Sequence, residues 1–262
     1  MVTVQTVYDF LKTLAPEYMA YEWDHVGLLC GRADRPVEKI LVALDPFPAV
    51  CREAKELGCQ LLVTHHPILW KLEAVNDSTI TGRDMLYLIE NGISAVNAHT
   101  NLDCAPDGVN DCLAARLGLE QVQVIDPAGT DEAGRAYGLL RGGVIPATEP
   151  TDFVQRVKTA LGCEGVRYVS GNRPITKVAV GGGSCGDSLH RVHALGYDAL
   201  VTADCKYNQF ADAAEYGITL VDAGHFETEN PVCACLAKKL REAFPALEII
   251  ESCVHRDCIR FA

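Results

Sequence analysis

The sequence predicts an α/β protein made of two similar α/β lobes. Three observations support this: strand and helix patterns alternate along the chain, the strands are continuous apolar runs, and one stretch is repeated. Residues 39–66 and 177–204 align without a gap, and seven of the 28 positions are identical. Continuous apolar strands are typical of parallel sheets that are buried on both faces. We therefore interpret the repeat as an internal duplication that gives two α/β lobes with a cleft between them.

The first predicted element is a helix close to the N-terminus. Val4, Val7 and Leu11 recur at helical spacing, and Thr3 precedes them as the predicted N-cap. The apolar side of this helix is expected to cover one face of a sheet.

Each copy of the repeat has the pattern of a strand, a helix, a glycine and a second strand, and a third strand follows in each half. The predicted elements are strand 40–44, helix 49–57, strand 61–64 and strand 93–98, then strand 178–180, helix 187–195, strand 199–202 and strand 218–223. Functional residues gather beyond the carboxyl ends of strands in such sheets, because the loops converge there.

The expected division is an N-terminal α/β lobe over residues 1–125, a connecting region over 126–174 and a C-terminal α/β lobe over 175–262. All three are expected to form one compact structural unit. In the connecting region we predict one helix, over 151–161, capped by Thr151 and closed by Gly162.

Composition narrows the class of protein. The chain has 262 residues, is 48% hydrophobic and 22% charged, and carries a formal net charge of −12. This is an ordinary globular composition, and the negative charge argues against binding to nucleic acid or to an anionic membrane. No apolar run is long enough to span a membrane, and the N-terminus lacks the pattern of a signal peptide. We expect a cytoplasmic protein.

The chain contains twelve cysteines, but their placement is uninformative about function. No two of them form the Cys-x-x-Cys pair of zinc ribbons or redox motifs. In a cytoplasmic setting, buried reduced thiols are the simplest interpretation, so we predict no disulfide.

Two adjacent histidines, His65 and His66, stand at the end of the apolar run 61–64. Neighbouring side chains of a strand point to opposite faces, so both imidazoles can serve one site only if the strand ends there. Pro67 supplies that ending, because proline cannot donate to a sheet ladder. The pair is therefore a candidate site.

Other metal-binding side chains follow the later strands. The complete candidate set, all with nitrogen or oxygen donors, is His65, His66, Asp103, His225 and Glu229. If a helix begins after Gly224, the last two lie one turn apart on one face. Five ligands are too many for one catalytic ion with an open position, and they suit two ions that share a bridging carboxylate.

For other polar residues near these strand ends, the sequence gives less support for a functional role. Asp45 and Asp204 could orient a ligand or act as a base, but we favour solvated strand-end carboxylates. Glu227 is a tentative catalytic base, and His99 is expected to hydrogen-bond within the site. His255 has the character of a surface residue, and we assign it no role.

A glycine-rich segment, 181–183, raises the alternative of a backbone anion site, but we favour a simple tight turn. It lacks the lysine and hydroxyl residue that follow the glycines of a P-loop.

Four segments together resemble the dinuclear-metal-centre hexameric proteins. This family is also called GTP cyclohydrolase 1 type 2 homologues and interacting-factor-three-like proteins. The segments are 23–28 (WDHVGL), 64–67 (THHP), 98–103 (AHTNLD) and 222–229 (DAGHFETE). The resemblance covers almost the whole chain.

This resemblance implies a two-lobed subunit, a ring-shaped homohexamer and two divalent metal ions per subunit, in a metal site in the cleft between the lobes. Histidine and carboxylate ligands accept zinc, manganese, iron or cobalt, so the sequence leaves the identity of the metal open. The resemblance also implies the ligand set given above, with His65 and His66 serving different ions and Glu229 bridging them. Two positions depart from the family pattern, where asparagine is usual at His25 and histidine is common at Asn208. Both could line the cleft and alter substrate preference.

Two functions of different kinds remain open at this stage. The first is a metal-dependent hydrolase acting on a small molecule, by resemblance a GTP cyclohydrolase that opens the guanine imidazole ring and releases formate. The second is a non-catalytic metal-binding scaffold or regulatory interaction protein. Five ligands on two ions leave coordination positions open, which favours the hydrolase.

Overall fold

The computed structural model describes residues 1–71 and 74–262 and shows a mixed α/β protein, which confirms the predicted class. Contacts group the chain into two units. Unit 1 comprises Met1–Ala105 and Val232–Arg256, and unit 2 comprises Pro106–Pro231 and Asp257–Ala262. This division is not sequential, unlike the three consecutive segments expected from the sequence. The reason is that the chain returns to its first sheet near the C-terminus.

The helices are α1 Val4–Leu14, α2 Pro48–Glu56, α3 Ile80–Glu90, α4 Thr100–Cys104, α5 Val109–Arg116, α6 Pro150–Leu161, α7 Leu189–Ala194, α8 Tyr207–Tyr216, α9 His225–Glu229 and α10 Pro231–Ala243, with 3₁₀ turns at Glu17–Met19 and Gly186–Ser188. The strands are β1 Gly27–Cys30, β2 Lys39–Ala43, β3 Leu61–Thr64, β4 Ser94–Asn97, β5 Glu120–Val124, β6 Gly129–Thr130, β7 Ala136–Tyr137, β8 Arg141–Thr148, β9 Arg167–Val169, β10 Ile175–Val180, β11 Ala199–Thr202, β12 Thr219–Asp222 and β13 Glu248–Glu251. Among the residues described, no helix combines the length and the apolar character needed to cross a bilayer.

The sheet of unit 1 has the strand order β1-β4-β3-β2-β13 within the described residues. The last four strands are parallel, and β1 pairs antiparallel with β4. Every residue of the central strand β3 is buried. Its continuous apolar run is therefore explained by burial on both faces of the sheet.

Helix α1 begins as the sequence predicts. The Thr3 hydroxyl accepts a hydrogen bond from the amide of Thr6 at 3.2 Å, which satisfies one of the amides that a helix N-terminus leaves without a partner. Val4, Val7 and Leu11 form its buried side.

The sheet of unit 2 has the strand order β5-β8-β10-β11-β12-β9 in the same described part of the chain. Strands β10, β11 and β12 are parallel, and the others pair antiparallel. The segment expected to be a mere connection supplies β8, α6 and β9, so that expectation is wrong. Ile145, Phe153 and Val157 from this segment are buried in the core of unit 2, which accounts for its order.

Two helix predictions need correction. Helix α6 begins at Pro150 after Glu149, not at a Thr151 cap, because the fixed φ of proline suits the first helical position. Its predicted end at Gly162, with φ of 76°, is confirmed. The helix predicted over 187–195 is a 3₁₀ turn followed by the shorter α7.

Each unit contains three adjacent parallel strands in chain order, β2-β3-β4 in unit 1 and β10-β11-β12 in unit 2. The duplication itself stays a prediction. Polar candidates lie directly beyond these strands: His65 and His66 follow β3, His99 follows β4, and Asp204 and His225 follow β11 and β12. Their expected position at strand ends is confirmed.

Candidate metal centre

Three histidines of unit 1 form a group at the ends of β3 and β4. His65, His66 and His99 can each bring one ring nitrogen within 4.8 Å of the other two. The ring centroids of His65 and His66 are 4.9 Å apart, so both members of the adjacent pair do turn toward one place. His99 was expected beside the site, and it belongs to the group.

His65 is fully buried and fixed in orientation. Its Nδ1 lies 2.9 Å from the carbonyl oxygen of Ala98, and its Nε2 lies 3.6 Å from Oδ1 of Asp103. Asp103 is buried in α4, which starts directly after His99. A carbonyl can only accept, so Nδ1 of His65 carries a proton, and in the neutral ring Nε2 carries the lone pair.

His66 is held by a carboxylate. Its Nδ1 lies 2.6 Å from Oδ1 of Asp45, and the other oxygen of Asp45 lies 2.8 Å from Nε2 of His255. Burial acts to raise the pKa of the Asp45 carboxyl, but the hydrogen bonds from His255 and His66 outweigh it and hold that pKa well below its usual range. The expectation of a solvated strand-end carboxylate at Asp45 is wrong, because the residue is charged and engaged by two imidazoles.

His255 is a site residue that the sequence did not reveal. Its side chain is 3% exposed and contacts a residue 210 positions earlier in the chain. Strand β13 pairs in parallel with β2, and this pairing carries the following segment to the carboxyl end of β2, where Asp45 lies. The apolar pair Ile249-Ile250 was the available signal for that strand.

His99 is held by a second carboxylate, Asp24. Oδ2 of Asp24 lies 2.9 Å from Nδ1 of His99 and accepts from the amide and hydroxyl of Thr100, at 3.0 and 2.6 Å. The side chain of Asp24 is fully buried. Burial acts to raise its pKa, but the hydrogen bonds from His99 and Thr100 prevail and keep it well below the usual range. The backbone amide of His25 donates a hydrogen bond to the other oxygen of Asp24, Oδ1, at 2.8 Å, and the side chain of His25 is exposed.

In unit 2, α9 carries two of the predicted ligands. Nε2 of His225 lies 3.0 Å from Oε2 of Glu229, which confirms that the four-residue spacing places them on one helix face. Nδ1 of His225 lies 2.6 Å from Oδ2 of Asp204. Asp204 therefore orients the ring of a candidate ligand, although its own side chain is 49% exposed, so it is a strand-end carboxylate that is both solvated and hydrogen-bonded. Its left-handed backbone, with φ of 53°, is tolerated by aspartate and is a local strain of the kind found at functional sites.

The glycine segment is a tight turn that accommodates Glu229. The amides of Gly181, Gly182 and Gly183 donate to the carbonyl of Val201, Oδ1 of Asn110 and Oγ1 of Thr228, at 3.0, 2.7 and 3.0 Å. Because these amides are engaged within the protein, the alternative of an anion site is wrong. Gly183 has φ of 63°, and a Cβ built there would overlap Oε1 of Glu229.

Glu227 has different surroundings from its helix neighbours. It is two residues from both His225 and Glu229, which places it on the other side of α9. Burial, followed by the charges of Asp257 and Glu164, raises the pKa of its carboxyl. This arrangement gives no support to the tentative catalytic role. Asn208 is exposed in the first turn of α8.

Four histidines share one arrangement. Nδ1 of each lies within hydrogen-bond distance of an oxygen acceptor that is fixed by the fold, so Nε2 is the nitrogen that each can offer to a metal ion. The pairs are His65 with Ala98, His66 with Asp45, His99 with Asp24 and His225 with Asp204. Metal-binding histidines are oriented in this way in proteins, by a carboxylate or carbonyl on the other nitrogen. The donors of each unit, imidazole nitrogens with Asp103 in unit 1 and with Glu229 in unit 2, are of the types that divalent ions such as zinc, manganese, iron or cobalt accept.

Comparison with known proteins identifies the family of this chain. The profile of the Duf34/NIF3 (NGG1p interacting factor 3) family matches residues 2–258. The chain belongs to the Duf34/NIF3 family. Among curated Duf34/NIF3 relatives, a protein of Clostridium perfringens named GTP cyclohydrolase 1 type 2 homolog is 33% identical, over 97% of this chain and 98% of its own. A protein of Streptomyces coelicolor with the same name is 39% identical, over 92% and 87%.

Solved structures show the same fold. A Bacillus cereus protein related to NIF3 superposes with a TM-score of 0.94 at 23% identity, covering 100% of this chain and 99% of its own. The Staphylococcus aureus hypothetical protein SA1388 superposes with a TM-score of 0.93 at 25% identity, covering 99% of each chain. The Duf34/NIF3 fold thus extends over the whole chain.

Proposed function

We propose that this protein is a metal-dependent hydrolase that binds two divalent ions through five ligands. The ligands are His65, His66, Asp103, His225 and Glu229. The observation that carries the proposal is the common orientation of the histidines, with Nδ1 engaged and Nε2 presented. Glu229 is the proposed bridging ligand.

The donor set suits a catalytic site better than a structural one. Structural zinc sites are typically closed by four ligands and rich in cysteine, whereas this set has no thiolate and leaves positions open on two ions. When bound, the ions supply Lewis-acid activation of water and of the electrophilic centre of the substrate.

Hydrogen bonds within the protein would orient the proposed ligands before any ion binds. Asp45 and Asp204 fix the rings of His66 and His225, so little side-chain freedom is lost on metal binding. Buried Asp103 and Glu229 bring negative charge to positions where a cation offsets the cost of burial. His99, which Asp24 holds in place, lies beside His65 and His66 and can hydrogen-bond a substrate.

The substrate proposed first is GTP, because close relatives carry the name GTP cyclohydrolase 1 type 2 homolog. The reaction would be hydrolytic opening of the guanine imidazole ring with release of formate. The same resemblance supports a homohexamer as the assembly to be tested.

The test is a turnover assay of the metal-loaded protein with GTP and other nucleotides, measuring formate and phosphate release. We expect release that chelation abolishes and that Glu229→Gln reduces at least 100-fold. The control is Asp34→Asn, which removes the charge of an exposed aspartate in unit 1. Absence of turnover with full metal content and an intact assembly would contradict the hydrolase and favour the metal-binding scaffold.

A further inference from the structure

Both tryptophans of this chain contact the same histidine. Trp23 and Trp70 are the chain's two tryptophans, and their rings lie 6.1 and 5.1 Å from the ring of His99, at interplanar angles of 70° and 83°. Both indoles are largely exposed, Trp23 at 62% and Trp70 at 55%. Large aromatic side chains are normally the main contributors to a core, so two exposed indoles on one imidazole call for an explanation.

The indole of Trp23 is held in place by its neighbours and not by burial of its own ring. The next residue, Asp24, has a buried carboxylate that accepts from His99 and Thr100. Tyr21 stacks on Trp23 with ring centroids 6.0 Å apart and an interplanar angle of 19°, and the amide of Tyr21 donates to the Thr100 hydroxyl at 3.0 Å. These contacts anchor the segment while leaving much of the indole surface open.

The two indoles also adjoin the metal-binding histidines of unit 1. The ring of His99 lies 5.1 Å from that of His65 and 5.5 Å from that of His66. A flat ligand resting on either indole would therefore lie next to this histidine group.

We infer that Trp23 and Trp70 form a subsite that binds a planar heteroaromatic ring, such as a nucleobase, and places it beside His65, His66 and His99. Stacking on aromatic side chains suits every base, because each base has two π faces, and the interaction tolerates different ring substituents. His99 lies between the two tryptophans and offers an Nε2 that can accept a hydrogen bond from the edge of such a ring. The inference names the substrate class for the proposed hydrolase and rests on it only for turnover, since the ring can bind whether or not chemistry follows.

The binding test uses guanosine 5′-monophosphate and ribose 5-phosphate as probes. They share the sugar and the phosphate and differ in the base, so any difference reports on the ring. Tryptophan emission can arise only from Trp23 and Trp70, which makes fluorescence quenching a direct readout of the subsite. We expect the monophosphate to quench the emission saturably and ribose 5-phosphate to leave it unchanged.

Variants measured by calorimetry separate stacking from other effects. Trp23→Leu and Trp70→Leu should each weaken binding of the monophosphate about 5- to 100-fold, whereas Trp23→Phe and Trp70→Phe, which keep a flat ring, should retain most of it. The matched control is Tyr168→Leu, which removes an exposed aromatic ring from β9 in unit 2 and should leave the affinity unchanged.

Three results would overturn the inference. The first is equal binding of both probes, and the second is leucine variants with unchanged affinity. The third is a leucine variant that alters the oligomeric state in sedimentation, which would assign the indoles to contact with a second copy of the chain. Metal content is measured on the same samples. Wild-type protein that holds its metal but does not bind the monophosphate rejects this subsite alone, whereas wild-type protein that binds the monophosphate but holds no metal rejects the hydrolase alone.

Discussion

Oδ1 of Asp45 lies 2.6 Å from Nδ1 of His66, and this contact fixes which nitrogen of the imidazole faces the proposed metal site. The same distance separates Asp204 and His225 in unit 2. In both cases the aspartate accepts a hydrogen bond from Nδ1, so Nε2 is the nitrogen that the ring can offer to a metal ion. The two contacts give the first prediction.

Replacing Asp45 by asparagine should weaken metal binding. Loss of the charged acceptor frees the His66 ring to turn, and changes of this kind typically lower metal affinity about 10- to 100-fold. Competition with a chromogenic chelator measures the affinity. Asp34→Asn, the same charge change at an exposed position of unit 1, is the control and should bind metal normally. Equal affinities for wild type and Asp45→Asn would show that the contact does not support the site.

Gly183→Ala should reduce both stability and metal content. The residue has φ of 63°, and a Cβ would overlap the carboxylate of Glu229, so the ligand must move. Gly196→Ala is the matched control, because Gly196 has φ of 75° and open space where a Cβ would lie. Both variants should lose about 1–2 kcal/mol of unfolding free energy from left-handed backbone strain, and only Gly183→Ala should also lose bound metal. If both variants kept the wild-type metal content, the close approach to Glu229 would be irrelevant to binding.

Asp198 should contribute a pH-dependent part of the stability. Its Oδ2 accepts from the amides of Thr176 and Lys177 at 3.0 and 2.9 Å, and these bonds lower its pKa although burial acts to raise it. A carboxyl with a lowered folded-state pKa stabilises the fold above its unfolded value of about 4, and this stability is lost as the pH falls through the folded pKa. Asp198→Asn should therefore cost about 1 kcal/mol at pH 7, and the difference from wild type should shrink below pH 4.

Urea unfolding of the metal-free protein at pH 7 and at pH 3.5 checks this prediction. Asp212→Asn, at an exposed position of α8, serves as the control and should show no such dependence. If the difference in unfolding free energy between Asp198→Asn and wild type grew toward acid pH, the prediction would be wrong, because a lowered pKa requires this difference to shrink.

The cysteines should differ widely in reactivity toward iodoacetamide. All twelve are reduced thiols, and most are buried. Burial raises the pKa of Cys51 and of Cys205 to about 12, so their thiolate fraction near pH 8 is very small. Exposed Cys258 should be labelled first and the two buried thiols last, as read by peptide mass mapping, with urea-unfolded protein as the control. Early labelling of Cys51 would mean that the core of unit 1 opens readily.

Much of the fold and most of the ligand candidates are readable from local sequence. Apolar runs such as 61–64 predict buried strands, and Pro67 marks where His65 and His66 must leave the sheet. The spacing of His225 and Glu229 predicts a shared helix face because helix geometry is regular.

The remaining features depend on which strands become neighbours. Asp45 has the local pattern of any strand-end carboxylate, and its role appears only when β2, β3 and β13 pair and bring His66 and His255 to it. The amides of 181–183 likewise find partners, such as Asn110, from distant parts of the chain. The local sequence does not indicate which distant strands and loops will become neighbours in this way.

The measurement that tests the central claim most directly is metal stoichiometry across variants of the two units. The series is wild type, His65→Ala in unit 1, Glu229→Ala in unit 2, and the double variant, each loaded with zinc, dialysed and analysed by mass spectrometry for metal. If the five residues form one dinuclear centre, wild type holds two ions per subunit, each single variant loses at least one, and the double variant loses less than the sum of the two single losses. Far fewer than two ions in wild type, or single variants that keep both ions, would contradict the account.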